Sequence, residues 1–279
     1  MKKILIIQSA GEHEKNKHFR ECFSFQRAFQ SLGYVADVWG FGHNNFNDII
    51  DFNNYDLIYT YENYNTWWLP DLKSIYRPIK LLSAGDAHCL GTKVFEKHFL
   101  DKGYNYLVHA TIDFVKESYH VWLPHGYDDD LIYPAHNNKR FTLGFCGNYN
   151  NRKEIIDELH KKFYLKKDIW KIGEEMINCI CSYKYHFNKN IGIDVNYRSF
   201  ETMGCGTVLI TNHNHQYDYL GFEHNKNCLI YNDEKHLFEI LESLNVFDYE
   251  NLRRNSIEFS KEHTYKQRMK ELLNYIDFK

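Results

Sequence analysis

Short apolar runs alternate along the chain with stretches in which apolar residues recur every three or four positions. KILIIQ (3 to 8), YVADVW (34 to 39), DLIYTY (56 to 61), IKLLSA (79 to 84) and YNYLVHA (104 to 110) are the runs of the first half, and HVWLPHG (120 to 126) closes it. Continuous runs too short for helices predict strands buried on both faces. After the first of them, Phe19, Cys22, Phe23, Phe25, Ala28 and Phe29 recur near helical spacing, and Leu32 and Gly33 predict where that helix stops. Polar PAHNNKR (134 to 140) then interrupts. The pattern restarts with strand FTLGFCG, a helix from Arg152 to about Lys161, helical KIGEEMINCI, strand YKYHF, strands TVLIT and NCLIY, and helices over 234 to 278. Alternation of this kind predicts an α/β fold with two doubly wound, Rossmann-like domains, 1 to 133 and 134 to 279, binding a ligand in the cleft at their strands' carboxyl ends. The last helix is a candidate to cross back onto the first domain.

A length of 279 residues suits two domains. The formal charge of -3 and a pI near 6.6 supply no general electrostatic footprint for nucleic acid or an anionic membrane, although a local basic groove stays compatible with them. No run approaches the roughly 18 to 20 apolar residues of a membrane span, and KILIIQ is too short for a signal-peptide core, so a cytoplasmic location is expected. Seven Cys without a CxxC pair read as reduced thiols. The 16 His invite a metal hypothesis, but His213 and His215 lack a third and fourth ligand at recognisable spacing, and Asp128 to Asp130 read as a solvated corner. The expectation is no metal site. SAGEHEKNKHF after the first strand is no GxGxxG loop, and GxxxxGK[ST] and GxSxG are missing, which weighs against redox dinucleotide, P-loop and serine-hydrolase chemistry.

NYRSFETMGCGTVLIT (196 to 211) reads as a short helix, a small-residue corner and a buried strand. Arg198 and Glu201, three apart, share a helix face. Gly204 and Gly206 bracket Cys205 in a corner with so little bulk that backbone N–H groups can approach a ligand. A surface ion pair worth little is the competing reading. In the first half, Asp86 and His88 in SAGDAHC follow a predicted strand, a setting suited to a general base, with Asp86 as a plain helix cap the alternative. Glu62, Glu12 and His13 are further candidates, and His125 reads as a hinge residue. YENYNTWW (61 to 68) offers rings that stack a sugar or base, or that pack under loops.

Four stretches in order carry a family resemblance. FTLGFCGNYNNRKEIIDEL, NYRSFETMGCGTVLITN, EHTYKQRMKELL (262 to 273) and WLPHGYDDDLIYP (122 to 134) resemble, in turn, the first strand with its glycine loop and Arg-bearing helix start, the R-x-F-E-x-x-x-x-G donor motif, the final helix and the interdomain crossing of GT-B glycosyltransferases, most of all the CgeB-like (spore maturation protein) group. The first half resembles the family only in element order, with GDAH (85 to 88) the best local match. The resemblance implies a GT-B fold, two domains facing each other across a cleft, and metal-independent transfer from a nucleotide-sugar co-substrate, UDP-sugar first, to an acceptor hydroxyl. It places Glu201 on the ribose diol, Arg152 and Arg198 at the diphosphate, Gly147 where the phosphate needs room, and Gly204, Cys205, Gly206 and Thr207 near the nucleotide. Asp86 and His88 fall to the acceptor side. Many retaining members carry a second Glu eight residues before the one matching Glu201; here that position is Ile193, beside Asp194, so a retaining outcome does not carry over. Two other classes stay open. One is a phage-type DNA glycosyltransferase acting on hydroxymethylated pyrimidines, which the Asn, Lys, Tyr and Ile richness suits. The other is a non-catalytic nucleotide-sugar binding module, which the short length suits.

Overall fold

The computed structural model describes residues 1–64, 66–134 and 139–278. Of the polar interruption expected at 134 to 140, residues 135 to 138 therefore lie outside the described residues, as does Asn65 of the aromatic run. The chain packs as two compact units, Met1–Pro124 with Tyr265–Lys279, and His125–Thr264. Residues 125–133 thus pack with the second unit and 265–279 with the first, where the sequence reading drew one boundary at 133. Local contacts account for this. Tyr127 forms a one-residue parallel bridge with Thr264, and its hydroxyl lies 3.1 Å from Ser260 Oγ.

The first unit is a six-stranded parallel sheet in the order β2-β1-β3-β4-β5-β6. Its strands are β1 (Lys3–Ile7), β2 (Val35–Trp39), β3 (Leu57–Thr60), β4 (Ile79–Ser83), β5 (Tyr106–His109) and β6 (His120–Trp122). Ile4 to Ile7 are fully buried, as a strand covered on both faces requires. Helix α1 (Glu21–Ser31) buries Cys22, Phe25, Ala28 and Phe29 on one side of the sheet. Short α2 (Ala87–Leu90) and longer α3 (Thr92–Lys102) follow β4, and Phe95 and Phe99 of α3 fill the core of the other side. The last helix, labelled α10 below (Tyr265–Tyr275), inserts Met269, Leu272 and Leu273 into the core under α1.

The second unit is a five-stranded parallel sheet in the order β11-β10-β9-β7-β8. Its strands are β7 (Phe141–Gly147), β8 (Lys166–Ile169), β9 (Tyr183–Asn188), β10 (Val208–Asn212) and β11 (Leu229–Tyr231), and its helices are α4 (Lys153–Phe163), α5 (Gly173–Cys181), α6 (Tyr197–Gly204), α7 (Tyr217–Leu220), α8 (Glu234–Glu242) and α9 (Tyr249–Ser260). Helix starts follow from side-chain caps: Asn196, Asp233 and Asp248 accept from the backbone N–H of Arg198, His236 and Asn251 at 3.0, 2.8 and 3.1 Å. Strand β8 was not expected, because an edge strand reading KKDI is half-buried and charged rather than apolar. In both sheets the first strand of the unit lies between the second and the third. The chain therefore changes winding direction at β1/β3 and at β7/β9, leaving a crevice beyond the carboxyl ends of those pairs. Among the described residues no helix is long and apolar enough to cross a membrane.

Candidate functional site

The crevice at β7/β9 holds a pocket of about 210 Å³ lined by Gly147, Asn148, Arg152, Asn188, Arg198 and Glu201, with Phe145, Cys146, Asn196 and Tyr197 completing its wall. Four of these were singled out from the sequence, and the fold brings them together. Gly147 ends β7, and the chain turns through Asn150–Arg152 into α4. Arg152 donates from Nε to the Lys189 carbonyl at 2.8 Å and from Nη1 to the Asn148 carbonyl at 3.2 Å, which ties the loop after β7 to the loop after β9. Arg198 and Glu201 stand on the first turns of α6. Arg198 Nη1 lies 2.7 Å from Glu201 Oε2, with the two side chains 21% and 19% exposed, and it also meets Met176 Sδ. The ion pair weighed against a ligand role is thus real, but it is part of the pocket wall.

The electrostatics of this wall favour an anion. Burial lowers the pKa of Arg152, and the guanidinium of Arg198 lowers it further. Only Arg198 pairs with a carboxylate, that of Glu201, and Arg152 rests on backbone carbonyls with no carboxylate partner among the described residues. An anion between them would relieve both the repulsion and the burial cost. Glu201 keeps Oε1 without a hydrogen-bond partner among the described residues, so one oxygen remains available to hydroxyl donors.

Beneath the pocket a buried chain of hydrogen bonds sets the wall in place, and no sequence motif announces it. The Cys146 backbone N–H donates to His186 Nε2 at 3.0 Å. That leaves the proton on Nδ1, which lies 2.7 Å from Thr202 Oγ1, and Thr202 in turn donates to the Arg198 carbonyl at 2.6 Å. Burial, with Arg198 nearby, drives the His186 pKa well down and keeps the ring neutral. Asn188 Nδ2 donates to Asn196 Oδ1 and Ser199 Oγ, both at 3.1 Å, fixing the start of α6 against β9. His125, expected as a hinge residue, is buried with Nε2 3.7 Å from Asp194 Oδ1 and its ring 3.9 Å from that of Tyr197. Asp194, adjacent to the position of the family's second Glu, is buried beside His125 and is not among the residues that line the pocket.

The corner after α6 is placed differently from its expected role. Gly204, Cys205, Gly206 and Thr207 are all buried and none lines the pocket. Eight helical residues run about 12 Å, enough to carry the chain from the sheet's carboxyl edge back to its amino edge, where β10 begins. A Cβ at Gly204 would stand 2.5 Å from the Tyr127 ring. Gly206 has φ +65°, and a Cβ there would meet Pro134 at 2.9 Å. Thr207 Oγ1 donates to the Ile180 carbonyl at 2.7 Å and accepts from Lys139 Nζ at 2.9 Å. The small residues serve packing. By contrast, a Cβ at Gly147 would meet nothing nearer than the Phe145 ring at 3.4 Å, an ordinary contact.

In the first unit, Asp86 occupies the cap position of α2 without a side-chain cap bond, and burial together with Asp86 raises the pKa of Tyr64. His88 is half-buried, and its Nδ1 has no partner among the described residues. Glu62 is buried at the β1/β3 crevice, accepting from the Ser9 N–H at 3.1 Å, whereas Glu12 and His13 are exposed. The aromatic run divides: Tyr61 and Trp68 are core, while Tyr64 and Trp67 are exposed. In the second unit Asp128 is buried and closes a turn onto the Asp130 N–H at 3.1 Å, and His213 and His215 are exposed.

A family model described as glycosyl transferase-like matches residues 130–274, more than half of the chain and all of the β7/β9 pocket. The chain belongs to the glycosyl transferase-like family. It is a glycosyltransferase of GT-B architecture, the class that uses nucleotide-sugar donors. Three solved structures share the fold at 12% identity. Sucrose-phosphate synthase from Thermosynechococcus elongatus has a TM-score of 0.68 over 99% of both chains. HepE of Anabaena, in complex with UDP-glucose, has 0.64 over 98% of this chain and 99% of its own. An alpha-glucosyltransferase in complex with UDP and a 13-mer DNA containing a HMU base has 0.68 over 99% of both. No curated protein matches the chain. The family match does not reach Asp86 or His88. A larger cavity of about 520 Å³ opens at the amino edge of the same sheet, lined by Phe163, Tyr185, Leu244, Phe247 and Tyr249, but the switch-point geometry and the paired arginines both single out the smaller one.

Proposed function

We propose that this glycosyltransferase moves a sugar from a UDP-sugar to an acceptor hydroxyl without a catalytic metal, seating the diphosphate between Arg152 and Arg198. The observation that carries the reading is two guanidiniums lining one pocket at the β7/β9 switch point, of which only Arg198 has a carboxylate partner among the described residues. In the transfer step the acceptor oxygen attacks the anomeric carbon. The bond from that carbon to the diphosphate oxygen breaks, and the diphosphate leaves with the bonding pair while the acceptor proton passes to a base. Arg152 and Arg198 stabilise the charge that grows on the leaving group, work that a divalent cation performs elsewhere. Glu201 accepts from the ribose hydroxyls through Oε1, and Gly147 lets the phosphate approach the backbone. A cavity of about 210 Å³ suits the ribose and diphosphate, with base and sugar extending beyond it. Asp86 of the first unit takes the acceptor proton and His88 assists it. The bound UDP-glucose or UDP of two structural neighbours supports uracil as the base. The order of the four motifs supports placement in the CgeB-like group, and seven free thiols support a reducing, cytoplasmic setting.

A second reading takes modified DNA as the acceptor, favoured by the neighbour that binds DNA with a HMU base and opposed by the net charge of -3. Calorimetric titration with UDP, GDP, CMP and dTDP tests the donor assignment. UDP is expected to bind best and to lose affinity in Arg152→Ala; no nucleotide binding, or equal binding in the variant, overturns it. Salt-dependent binding to duplexes containing hydroxymethylated pyrimidine would move the acceptor to DNA.

A further inference from the structure

The first unit holds a cluster that sugar transfer leaves unused. His109 ends β5, His120 opens β6, and Glu96 lies on α3. The β5/β6 register pairs His120 with Leu107, two residues before His109, so both imidazoles rise from the same face of the sheet. Phe95 and Phe99 pack in one cluster with Leu107, which lays α3 and its Glu96 over that face. One donor atom from each of the three side chains lies within 4.8 Å of the other two. The two rings are 4.7 Å apart at 63°, and His120 Nε2 stands 2.8 Å from Glu96 Oε1.

His109 decides how this cluster is read. It is fully buried, and neither Nδ1 nor Nε2 has a hydrogen-bond partner among the described residues. An unsatisfied buried imidazole is costly, and native folds rarely tolerate one without a ligand or ion to meet it. Complete burial disfavours a charged ring, and a neutral imidazole has a lone pair to give. The surroundings resemble a second layer around a metal. His120 Nδ1 lies 3.0 Å from the Phe114 carbonyl and 3.1 Å from the Lys116 N–H, so either tautomer is accommodated. The tautomer that donates to Phe114 frees Nε2 as a ligand. Glu96 Oε2 accepts from the Tyr119 hydroxyl at 3.2 Å, which leaves Oε1 for coordination.

We propose that Glu96, His109 and His120 form a binding site for a divalent transition metal, zinc in the first place. Two imidazoles and a carboxylate are a common zinc donor set, with a fourth position left for water. Zinc bonds of about 2.0 to 2.1 Å put tetrahedral ligands roughly 3.3 Å apart. To reach that spacing Glu96 and His120 would part slightly from 2.8 Å, with the remaining donor separations starting from no more than 4.8 Å. The ion would fasten α3 to β5 and to β6, the three-residue strand at the sheet's edge. All three ligands belong to the first unit, and none lines the β7/β9 pocket.

The test is titration of chelator-stripped, untagged full-length protein with Zn²⁺ alone against a chromophoric competitor, with Co²⁺ absorption reporting ligand geometry. One equivalent should bind, raise the unfolding temperature and give the visible bands of tetrahedral Co²⁺. His109→Gln and Glu96→Gln should each weaken binding by about 100-fold or more, beyond what loss of a second-layer partner does. The double variant His213→Ala/His215→Ala, on an exposed loop, should bind as the parent does. Should His109→Gln fail to fold, Glu96→Gln, whose amide oxygen still accepts from Tyr119, decides alone. Failure to bind one equivalent, undiminished affinity in Glu96→Gln, or loss of binding only in the His213/His215 variant overturns the proposal.

Discussion

Replacing Gly147 by Ala separates a glycine kept for a ligand from one kept for packing. In the protein as folded, the added Cβ meets only the Phe145 ring at 3.4 Å, and the backbone there has no left-handed φ. Stability should hold or rise by about 0.4 to 1 kcal/mol, because the unfolded chain loses freedom. If a phosphate approaches the backbone at this position, the same methyl stands where the ligand must be. Overpacking typically costs about 1 to 3 kcal/mol, so UDP affinity should fall by roughly 5- to 150-fold. Gly204→Ala is the counterpart. Its Cβ would stand 2.5 Å from the buried Tyr127 ring, away from the pocket, so the cost should appear in stability and leave the UDP affinity of the folded protein intact. Urea unfolding and calorimetric titration of the two variants read both quantities. Wild-type UDP affinity in a stable Gly147→Ala protein would refute the assignment, and a marked loss of stability there would refute the geometric premise.

Glu201→Ala should weaken UDP binding by roughly 10- to 150-fold, the value of a hydrogen bond to a charged group, and unchanged affinity would remove the ribose assignment. Arg152→Ala should lower turnover more than it weakens binding of uridine alone, and matching losses would contradict a role at the diphosphate. Asp86→Asn should slow transfer by roughly 10² to 10⁴ with UDP affinity near wild type; a parallel fall in affinity would assign Asp86 to folding or the donor, and normal transfer would send the search to His88 or Glu62. Transfer should persist in EDTA while circular dichroism shows the protein folded, and complete loss restored by Mn²⁺ would return a metal to the reaction.

The surface pair Arg198 and Glu201 was legible because helical spacing alone puts them on one face. Gly147 and Arg152 were legible by motif resemblance, but their meeting with that pair depends on β7 lying beside β9, a matter of strand order. The meaning of the other glycines was not legible. A glycine says that a Cβ is unwelcome, not what stands opposite, and at Gly204 and Gly206 the neighbours are Tyr127 and Pro134.

The amino-acid sequence by itself determined the strands and helices wherever burial on both faces or on one helical face forces a regular apolar pattern, and it failed at β8, where an edge position removes that demand. It also carried the donor-side residue types. Only the tertiary structure decided which distant residues converge. His186 beneath the pocket, His125 on Asp194 and the Glu96, His109 and His120 cluster have no tell-tale spacing, because strand register and helix packing, not chain proximity, bring their atoms within reach.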